Sequence, residues 1–212
     1  MCRLLFVKSK TELDINYHLE KFADVCKSSK EFQGHGWGCS YLNADDNWEH
    51  YKNINPIWED DFSKFNFTNR LIVHARSAFE DKDIFIENNM PFYDDEFVFI
   101  FNGELRGVKI NAEGRIGAEK IFNFIKRFHN YDMKKAIEKG IDIILKRSNY
   151  IRAMNIIIAD KNNAYISSLF NEDSEYFQMS YKQTDEELII CSQKYIGEND
   201  WIKINNKSLE VF

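Results

Sequence analysis

The sequence predicts an α+β domain of two stacked sheets flanked by helices, and three observations support this fold class. Strand patterns dominate the first half of the chain, two amphipathic helices follow, and strand patterns return in the last third. This order differs from the regular strand–helix alternation of parallel sheets. The 212 residues are 44% apolar and include 18 Phe and 10 Tyr, which is enough for one domain with a substantial core. Because no linker, repeat or low-complexity segment interrupts the chain, we expect residues 1–212 to form a single domain.

Short apolar runs bounded by turn residues predict the strands of the first half, and apolar residues at helical spacing predict its helix. In chain order these elements are a strand over 3–8, a helix with Leu19, Phe22, Ala23 and Cys26 on one face, a hairpin over 39–42 and 48–52, a loop or helix start from Pro56, and strands over 71–76 and 96–101.

The same patterns predict two helices and then six strands in the second half. The apolar helix faces contain Ala118, Ile121, Phe122, Ile125 and Phe128, and then Met133, Ala136, Ile137, Gly140, Ile141 and Ile144; the strands cover 155–159, 164–169, 176–181, 187–191, 201–204 and 208–211.

Composition excludes several classes of function. A net charge of −6 without a basic run disfavours a nucleic-acid partner. No stretch reaches the roughly 18–20 apolar residues of a membrane helix, and charged residues interrupt the N-terminus too early for a signal peptide. Scattered cysteines favour reduced thiols and a cytoplasmic location, and the widely spaced histidines predict no metal site. We likewise expect no cofactor.

Cys2, directly after Met1, is the first candidate catalytic residue. If Met1 is removed, one residue carries a thiol with a pKa near ~8.5 and an α-amino group near ~7.7–8.0, so the amine can act as base for the thiol. Position alone favours the alternative, a cysteine that packs as a small apolar residue.

Two further patterns stand at strand ends. Asn102-Gly103 can present a side-chain amide and a backbone N–H to one oxyanion, although Asn-Gly is also a common turn. Arg76, which follows His74 on a predicted strand, can bind a carboxylate through paired hydrogen bonds or form a structural ion pair.

The glycine-rich segment 34–38 contains three alternating glycines, which allow the backbone to pass close to another element. Trp37 and Gly38 could cover a pocket there, or the segment could be a tight entry into a strand. Its spacing does not match a phosphate-binding loop.

Five blocks, taken in order, resemble the class II glutamine amidotransferase domain, a type of N-terminal nucleophile (Ntn) hydrolase. The blocks, which span about residues 2–119, are Cys2-Arg3-Leu4-Leu5, Gly34-x-Gly36-Trp37-Gly38, His74-Ala75-Arg76, Asn88-x-x-Pro91-Phe92 and Phe101-Asn102-Gly103-Glu104. The resemblance implies a four-layer αββα sandwich of two antiparallel sheets.

The resemblance also implies a mechanism. Removal of Met1 would expose Cys2, whose thiolate attacks the glutamine amide while its own amine moves the proton. Asn102 and the Gly103 N–H would hold the oxyanion, and Arg76 would bind the α-carboxylate. His74, Trp37, Gly38 and Gly117 would contribute to the substrate pocket. Glutamate and ammonia would be the products, through a thioester.

This sequence departs from the family pattern at five positions. Where the family usually has Asp, Thr, His and His, this chain has His35, Phe79, Met90 and Phe101. The family's Asp-Thr-Glu at the start of a helix is here Gly117-Ala118-Glu119, so the usual partner of the substrate ammonium is absent. Losing such a contact should weaken binding by about 1.5–3 kcal/mol, or roughly 10- to 150-fold.

Three hypotheses therefore stand. The first is glutamine hydrolysis, with ammonia released or passed to a separate synthase chain. The second keeps the same catalytic centre but acts on another amide, such as a γ-glutamyl or acyl-amide compound, because Gly117, Phe79 and Met90 make the pocket less polar. The third is a non-catalytic binding or regulatory module, favoured if Met1 is retained, since the base is then an amide nitrogen.

Overall fold

The computed structural model describes residues 1–212 and contains twelve strands and four α-helices. In chain order they are β1 (Arg3–Asp14), α1 (Ile15–Lys27), β2 (Trp37–Leu42), β3 (Trp48–Asn53), β4 (Phe67–Ala75), β5 (Phe92–Tyr93), β6 (Val98–Arg106), α2 (Gly117–Lys126), α3 (Met133–Lys146), β7 (Tyr150–Ala159), β8 (Ala164–Ser168), α4 (Ser174–Phe177), β9 (Ser180–Gln183), β10 (Glu187–Cys191), β11 (Ile202–Lys203) and β12 (Ser208–Val211).

The strands form two antiparallel sheets that stack on each other. The seven-stranded sheet has the order β11-β9-β10-β1-β4-β2-β3, and the five-stranded sheet has the order β12-β8-β7-β6-β5. Strands β1 and β4 lie against β6 of the second sheet. Helix α1 packs on the outer face of the first sheet, and α2 packs on the outer face of the second through Phe122. The predicted αββα sandwich is confirmed.

Alternation along β1 explains the layering. Leu4 and Phe6 point into the core between the sheets, whereas Leu5 and Val7 point into the core beneath α1. Side chains on successive strand residues face opposite sides, so a strand that is apolar at every position must be covered twice. Each such fully buried side chain contributes about 1.5–3 kcal/mol relative to exposure, which stabilises the stack.

The helix starts differ in their capping. Asp14 caps α1 by accepting a hydrogen bond from the Asn16 N–H at 2.9 Å, and Asp132 caps α3 by accepting one from Lys135 at 3.0 Å. Ile116 precedes α2 and provides no side-chain cap. The first turn of α2 therefore leaves backbone N–H groups without a side-chain acceptor.

Two predicted strands near the C-terminus are wrong in part. The strand predicted over 176–181 is instead a short helix, α4, followed by β9 from Ser180. Asp173 starts this helix with a left-handed φ of 48°, and Tyr176 and Phe177 are buried on it as an aromatic pair. Their adjacent apolar character is equally typical of a buried strand, which caused the error. Only residues 202–203 of the predicted strand 201–204 pair with a neighbour.

The first and last residues of other strands also differ from the predicted ones. Strand β1 continues to Asp14 because its pairing with β4 shifts register between Lys8 and Leu13. Strand β7 begins five residues earlier than predicted, at Tyr150, and the two-residue β5 was not predicted at all. No helix is long and apolar enough to cross a membrane.

Candidate active site

Cys2 lies immediately before β1 and is half-buried, with its Sγ 3.7 Å from the carbonyl oxygen of Ser77. Burial raises the pKa of the Cys2 thiol, while the Met1 ammonium, the Ser77 hydrogen bond and Arg76 act in the opposite direction. A nearby positive charge stabilises the thiolate form, so the Met1 ammonium and Arg76 each favour a reactive Cys2.

Strand register brings three of the predicted residues to one end of the first sheet. His74 of β4 pairs with Leu4 on one side and with Gly38 on the other. Leu4 faces the second sheet. By alternation, His74, Cys2 and Arg76 point to this same inner face.

Arg76 follows β4 and is only 5% exposed. Its guanidinium donates to the Asp83 carbonyl at 2.9 Å and to Asn89 Oδ1 at 3.5 Å, and it forms no salt bridge with a carboxylate. Burial lowers the pKa of Arg76, and a Cys2 thiolate counteracts this effect. A buried cation held by neutral acceptors can still accept an anionic group.

The glycine-rich segment fixes the loop after Arg76. Gly36 has a φ of +99°, and a Cβ there would lie 2.1 Å from the side-chain nitrogen of Asn89. A Cβ at Gly38 would lie 2.6 Å from the Met90 carbonyl. His35 Nδ1 accepts a hydrogen bond from the Ala78 N–H at 2.9 Å, so His35 anchors this loop.

The indole of Trp37 does not lie on the inner face of the first sheet, where Cys2, His74 and Arg76 point. Trp37 pairs with Ala75 and points to the outer face of the first sheet, where its ring is fully buried beneath α1. Its Nε1 donates to Asp60 at 3.0 Å, and its ring packs on Tyr51 and Phe65. The expectation that this side chain lines a substrate pocket therefore does not match its position.

Asn102 lies on β6 with no exposed surface, and neither its side-chain oxygen nor its nitrogen has a hydrogen-bond partner. Phe99 of the same strand faces outward onto Phe122, so alternation turns Asn102 toward the first sheet. Position 103 requires a glycine because β7 approaches it closely: a Cβ there would lie 2.2 Å from the Ala153 carbonyl. An unpartnered buried amide is unusual in a folded protein, so Asn102 needs an explanation.

His74 is also fully buried between the sheets, and neither ring nitrogen forms a hydrogen bond of normal geometry. The backbone of Phe101, the residue before Asn102, lies near the ring and partly offsets the effect of burial on its pKa. Burial and, secondarily, Arg76 lower the pKa of His74 to about 3, so the ring is neutral.

Gly117 is the exposed first residue of α2, and a Cβ there would meet no atom within 4 Å. Its neighbours Arg115 and Glu119 form an ion pair and line a pocket of about 400 Å³ with Lys52 and Phe92. A second pocket of about 400 Å³ lies around Arg3 and polar surface residues. Neither pocket includes Cys2, Arg76 or Asn102, and no cluster of three or more metal-ligating side chains is present.

Sequence reasoning missed the residues that contact Met1. Its carbonyl accepts hydrogen bonds from Gln33 Nε2 at 2.7 Å and from the Tyr176 hydroxyl at 2.5 Å, and its ammonium pairs with Glu31. These residues lie 30 to 175 positions from Met1. No local pattern identifies partners at such separations.

Comparison with solved structures places the fold among class II glutamine amidotransferase domains. A class-II glutamine aminotransferase domain protein from Silicibacter pomeroyi superposes with a TM-score of 0.68 at 12% identity, over 99% of this chain and 94% of that chain. A predicted glutamine amidotransferase from Pseudomonas aeruginosa gives a TM-score of 0.64 at 12% identity, over 100% and 97%.

Glutamine phosphoribosylpyrophosphate amidotransferase from Bacillus subtilis gives a TM-score of 0.66 at 12% identity. The match covers all of this chain and 49% of that enzyme, so the chain spans about half the enzyme's length. No family model and no curated protein matches the sequence. The chain therefore has the Ntn-hydrolase sandwich of these amidotransferase domains, at an identity that shows the fold alone.

Proposed function

We propose that the chain is an N-terminal-cysteine amidohydrolase that releases ammonia from glutamine. The observation that carries this proposal is the buried, unpartnered Asn102 amide on the strand that faces β1 and β4. Leaving such a group without a partner costs about 1–3 kcal/mol. An oxyanion that forms during acyl transfer would supply the missing partner.

In the proposed reaction the Cys2 thiolate attacks the side-chain amide carbonyl of glutamine. The thiol proton passes through the Cys2 α-amine to the amide nitrogen, the C–N bond breaks, and ammonia leaves a thioester on Sγ. Water then attacks the thioester, which gives glutamate and restores the thiol. The Asn102 amide and the Gly103 N–H would stabilise the negative oxygen in both steps.

One feature supports a carboxylate-bearing substrate, and the reaction sets a condition on the N-terminus. Arg76 lies beside Cys2 without a carboxylate partner, so it is suited to bind the substrate α-carboxylate. While Met1 is attached, the Cys2 nitrogen is an amide and cannot act as a base, so the proposal requires Met1 to be removed.

A second candidate is hydrolysis of another amide by the same centre. Gly117 offers no charge to an α-ammonium group, and the exposed Phe79 stands where the family has Thr. Both changes favour a substrate that differs from free glutamine in its charged groups.

Ammonia would be released or passed to a separate synthase chain. The Bacillus subtilis enzyme is about twice as long as this chain, so the match covers one part of that enzyme. The four unpaired cysteines favour action in a reducing compartment such as the cytoplasm.

The test is ammonia release from glutamine by protein whose first residue is Cys2, produced from a cleavable fusion. We expect turnover by this form, none by the Cys2→Ala variant, and none by the form that retains Met1. Turnover by Cys2→Ala at the same rate would refute the proposal.

A further inference from the structure

Met1 occupies a built site rather than a frayed end. Its side chain packs against Ala153, Phe170, Tyr176 and Phe177, which form a separate apolar cluster. Only 11% of the Met1 side chain is exposed. Terminal residues are usually poorly ordered unless specific contacts hold them, so these contacts anchor Met1.

The polar groups of this site match the backbone of an amino acid. Glu31 pairs with the Met1 ammonium, while Gln33 and the Tyr176 hydroxyl donate to the Met1 carbonyl. Gln33 has no exposed surface and Tyr176 is 6% exposed. The Arg3 guanidinium stacks on the Tyr176 ring at 3.9 Å, which holds that hydroxyl in place.

The site adjoins the proposed oxyanion donors. Arg152 lies 3.6 Å from Glu31 and 3.4 Å from Glu104, which follows Gly103. Ala153, a member of the cluster against which Met1 packs, is also the residue whose carbonyl approaches Gly103. Because Met1 is bonded to the Cys2 nitrogen, the site begins at the proposed base.

We propose that removal of Met1 uncovers a binding site for an apolar L-amino acid, formed by Glu31, Gln33, Tyr176 and the cluster around Ala153, and that this site holds the amine half of the substrate. The second part rests on the second candidate function, hydrolysis of another amide by the same centre, and specifies its substrate class: an amide between a carboxylate-bearing acyl group and the amino group of an apolar amino acid.

Hydrolysis of this substrate follows the same steps as hydrolysis of glutamine. The acyl C–N bond breaks as the bond to Cys2 Sγ forms, and the thiol proton passes through the Cys2 amine to the leaving nitrogen. Glu31 accepts a hydrogen bond from that nitrogen and pairs with it once it is protonated. Water then hydrolyses the thioester.

Binding can be tested without turnover, in a Cys2→Ala chain that starts at residue 2. We expect calorimetric titration with L-methionine to show one saturable site with a Kd on the order of 1 mM, the range for so small a ligand. The same variant with Met1 retained is the matched control and should bind at least tenfold more weakly. Glu31→Gln and Tyr176→Phe should each weaken binding to the Met-free chain.

D-methionine should bind more weakly than L-methionine, because its ammonium, carbonyl and side chain cannot meet all three partners at once. Equal affinity of the Met-free and Met1-bearing chains, or no binding to either, would overturn the proposed site. Retained near-ultraviolet circular dichroism in the Glu31→Gln variant confirms that any loss of binding is local.

The substrate class is tested with Met-free protein that has Cys2 intact. We expect hydrolysis of γ-glutamyl-L-methionine, and we expect Glu31→Gln to lower its kcat/KM at least tenfold more than that of glutamine. An equal decrease for both substrates would contradict the assignment of the amine half to this site. If neither substrate is hydrolysed, the proposed function fails and the substrate assignment with it, while the calorimetric result still decides the binding site.

Discussion

The two halves of the candidate site are built in different ways. In the nucleophile half, Cys2 directly precedes β1, and Asn102 and Gly103 lie on β6, whose pairing with β7 turns the Asn102 side chain toward the first sheet. The recognition half, Arg76 with Gly117 and the loop over 79–88, lies on loop residues and a helix start, where Phe79 and Phe85 are exposed. Sheet register constrains the first half strongly and the second only weakly. The fold therefore fixes the positions of the first half more tightly than those of the second.

The largest effect is expected in the nucleophile half, from Asn102→Leu. Loss of an oxyanion donor should lower kcat by about 10²- to 10³-fold with little change in KM. Because the Asn102 amide has no partner, an apolar side chain of similar shape should raise the unfolding free energy by about 1 kcal/mol or leave it unchanged. Steady-state kinetics and urea unfolding measure both quantities.

Asn155→Leu is the matched control for this variant. Asn155 pairs with Asn102 across β6 and β7, but its amide donates to the Phe177 carbonyl at 2.7 Å and accepts from the Leu169 N–H at 3.0 Å. We expect Asn155→Leu to destabilise the fold. If Asn102→Leu destabilises it to the same extent, Asn102 is a structural residue.

The next largest effect is expected from Arg76→Gln, which tests recognition of the substrate carboxylate. Removing the cation should raise KM for glutamine by roughly 10- to 150-fold, which corresponds to the loss of about 1.5–3 kcal/mol from a charged hydrogen bond. The amide 4-aminobutanamide lacks the α-carboxylate and should show little change. Equal effects on both amides would indicate that Arg76 only supports the loop through Asp83 and Asn89.

The third prediction concerns the pH dependence of stability, since His74 is a fully buried imidazole without a hydrogen-bond partner. The folded-state pKa of about 3 lies below the ordinary value of ~6.5, so the unfolded chain binds the proton first as the pH falls. This contribution is therefore fully present above pH ~6.5 and is lost toward pH 3, by about 2 kcal/mol at pH 5.

His74→Leu should reduce the loss of unfolding free energy between pH 7 and pH 5 by that amount, as measured by urea unfolding at the two pH values. His50, whose pKa is lowered to about 4 mainly by burial, continues to contribute in the variant. An unchanged difference between the two pH values would mean that His74 is already protonated or solvated.

The smallest effect is expected from restoring a charge in the recognition half with Gly117→Asp. The new Cβ meets no atom within 4 Å, so the side chain fits without strain. An exposed carboxylate near the substrate ammonium should lower KM for glutamine by roughly 3- to 10-fold, since exposed pairs contribute little. Gly117→Asn has the same shape without the charge and should have no such effect. A higher KM in the Asp variant would place Gly117 outside the substrate site.

Much of the fold follows from the sequence, because alternation and helical spacing report burial directly. The inner and outer faces of β1 are visible in Leu4 to Val7, and the apolar faces of α2 and α3 are visible in their spacing. Helix α4 was not predictable in this way, since an aromatic pair on one helical turn resembles a buried strand. The comparison with solved structures gives the same fold as the five ordered motifs. Each motif alone fits an ordinary turn or ion pair equally well, so only their order predicted the fold.

The site was predicted only in part, and each omission has a physical reason. Trp37 stands next to Gly38 in sequence but on the opposite face of β2, because adjacent strand residues alternate. His74 occupies a strand position that alternation places between two sheets, so its burial depends on the second sheet. The partners of Met1 meet only in three dimensions.

The most direct measurement of the central claim is intact-mass analysis of Met-free protein after treatment with a diazoketone analogue of glutamine. Cys26, Cys39 and Cys191 are buried, and burial raises the pKa of each thiol, so labelling should be confined to Cys2. We predict one adduct per chain, located on Cys2 by peptide mapping and absent when Met1 is retained. An unmodified Cys2 in correctly folded, Met-free protein would contradict its role as the nucleophile.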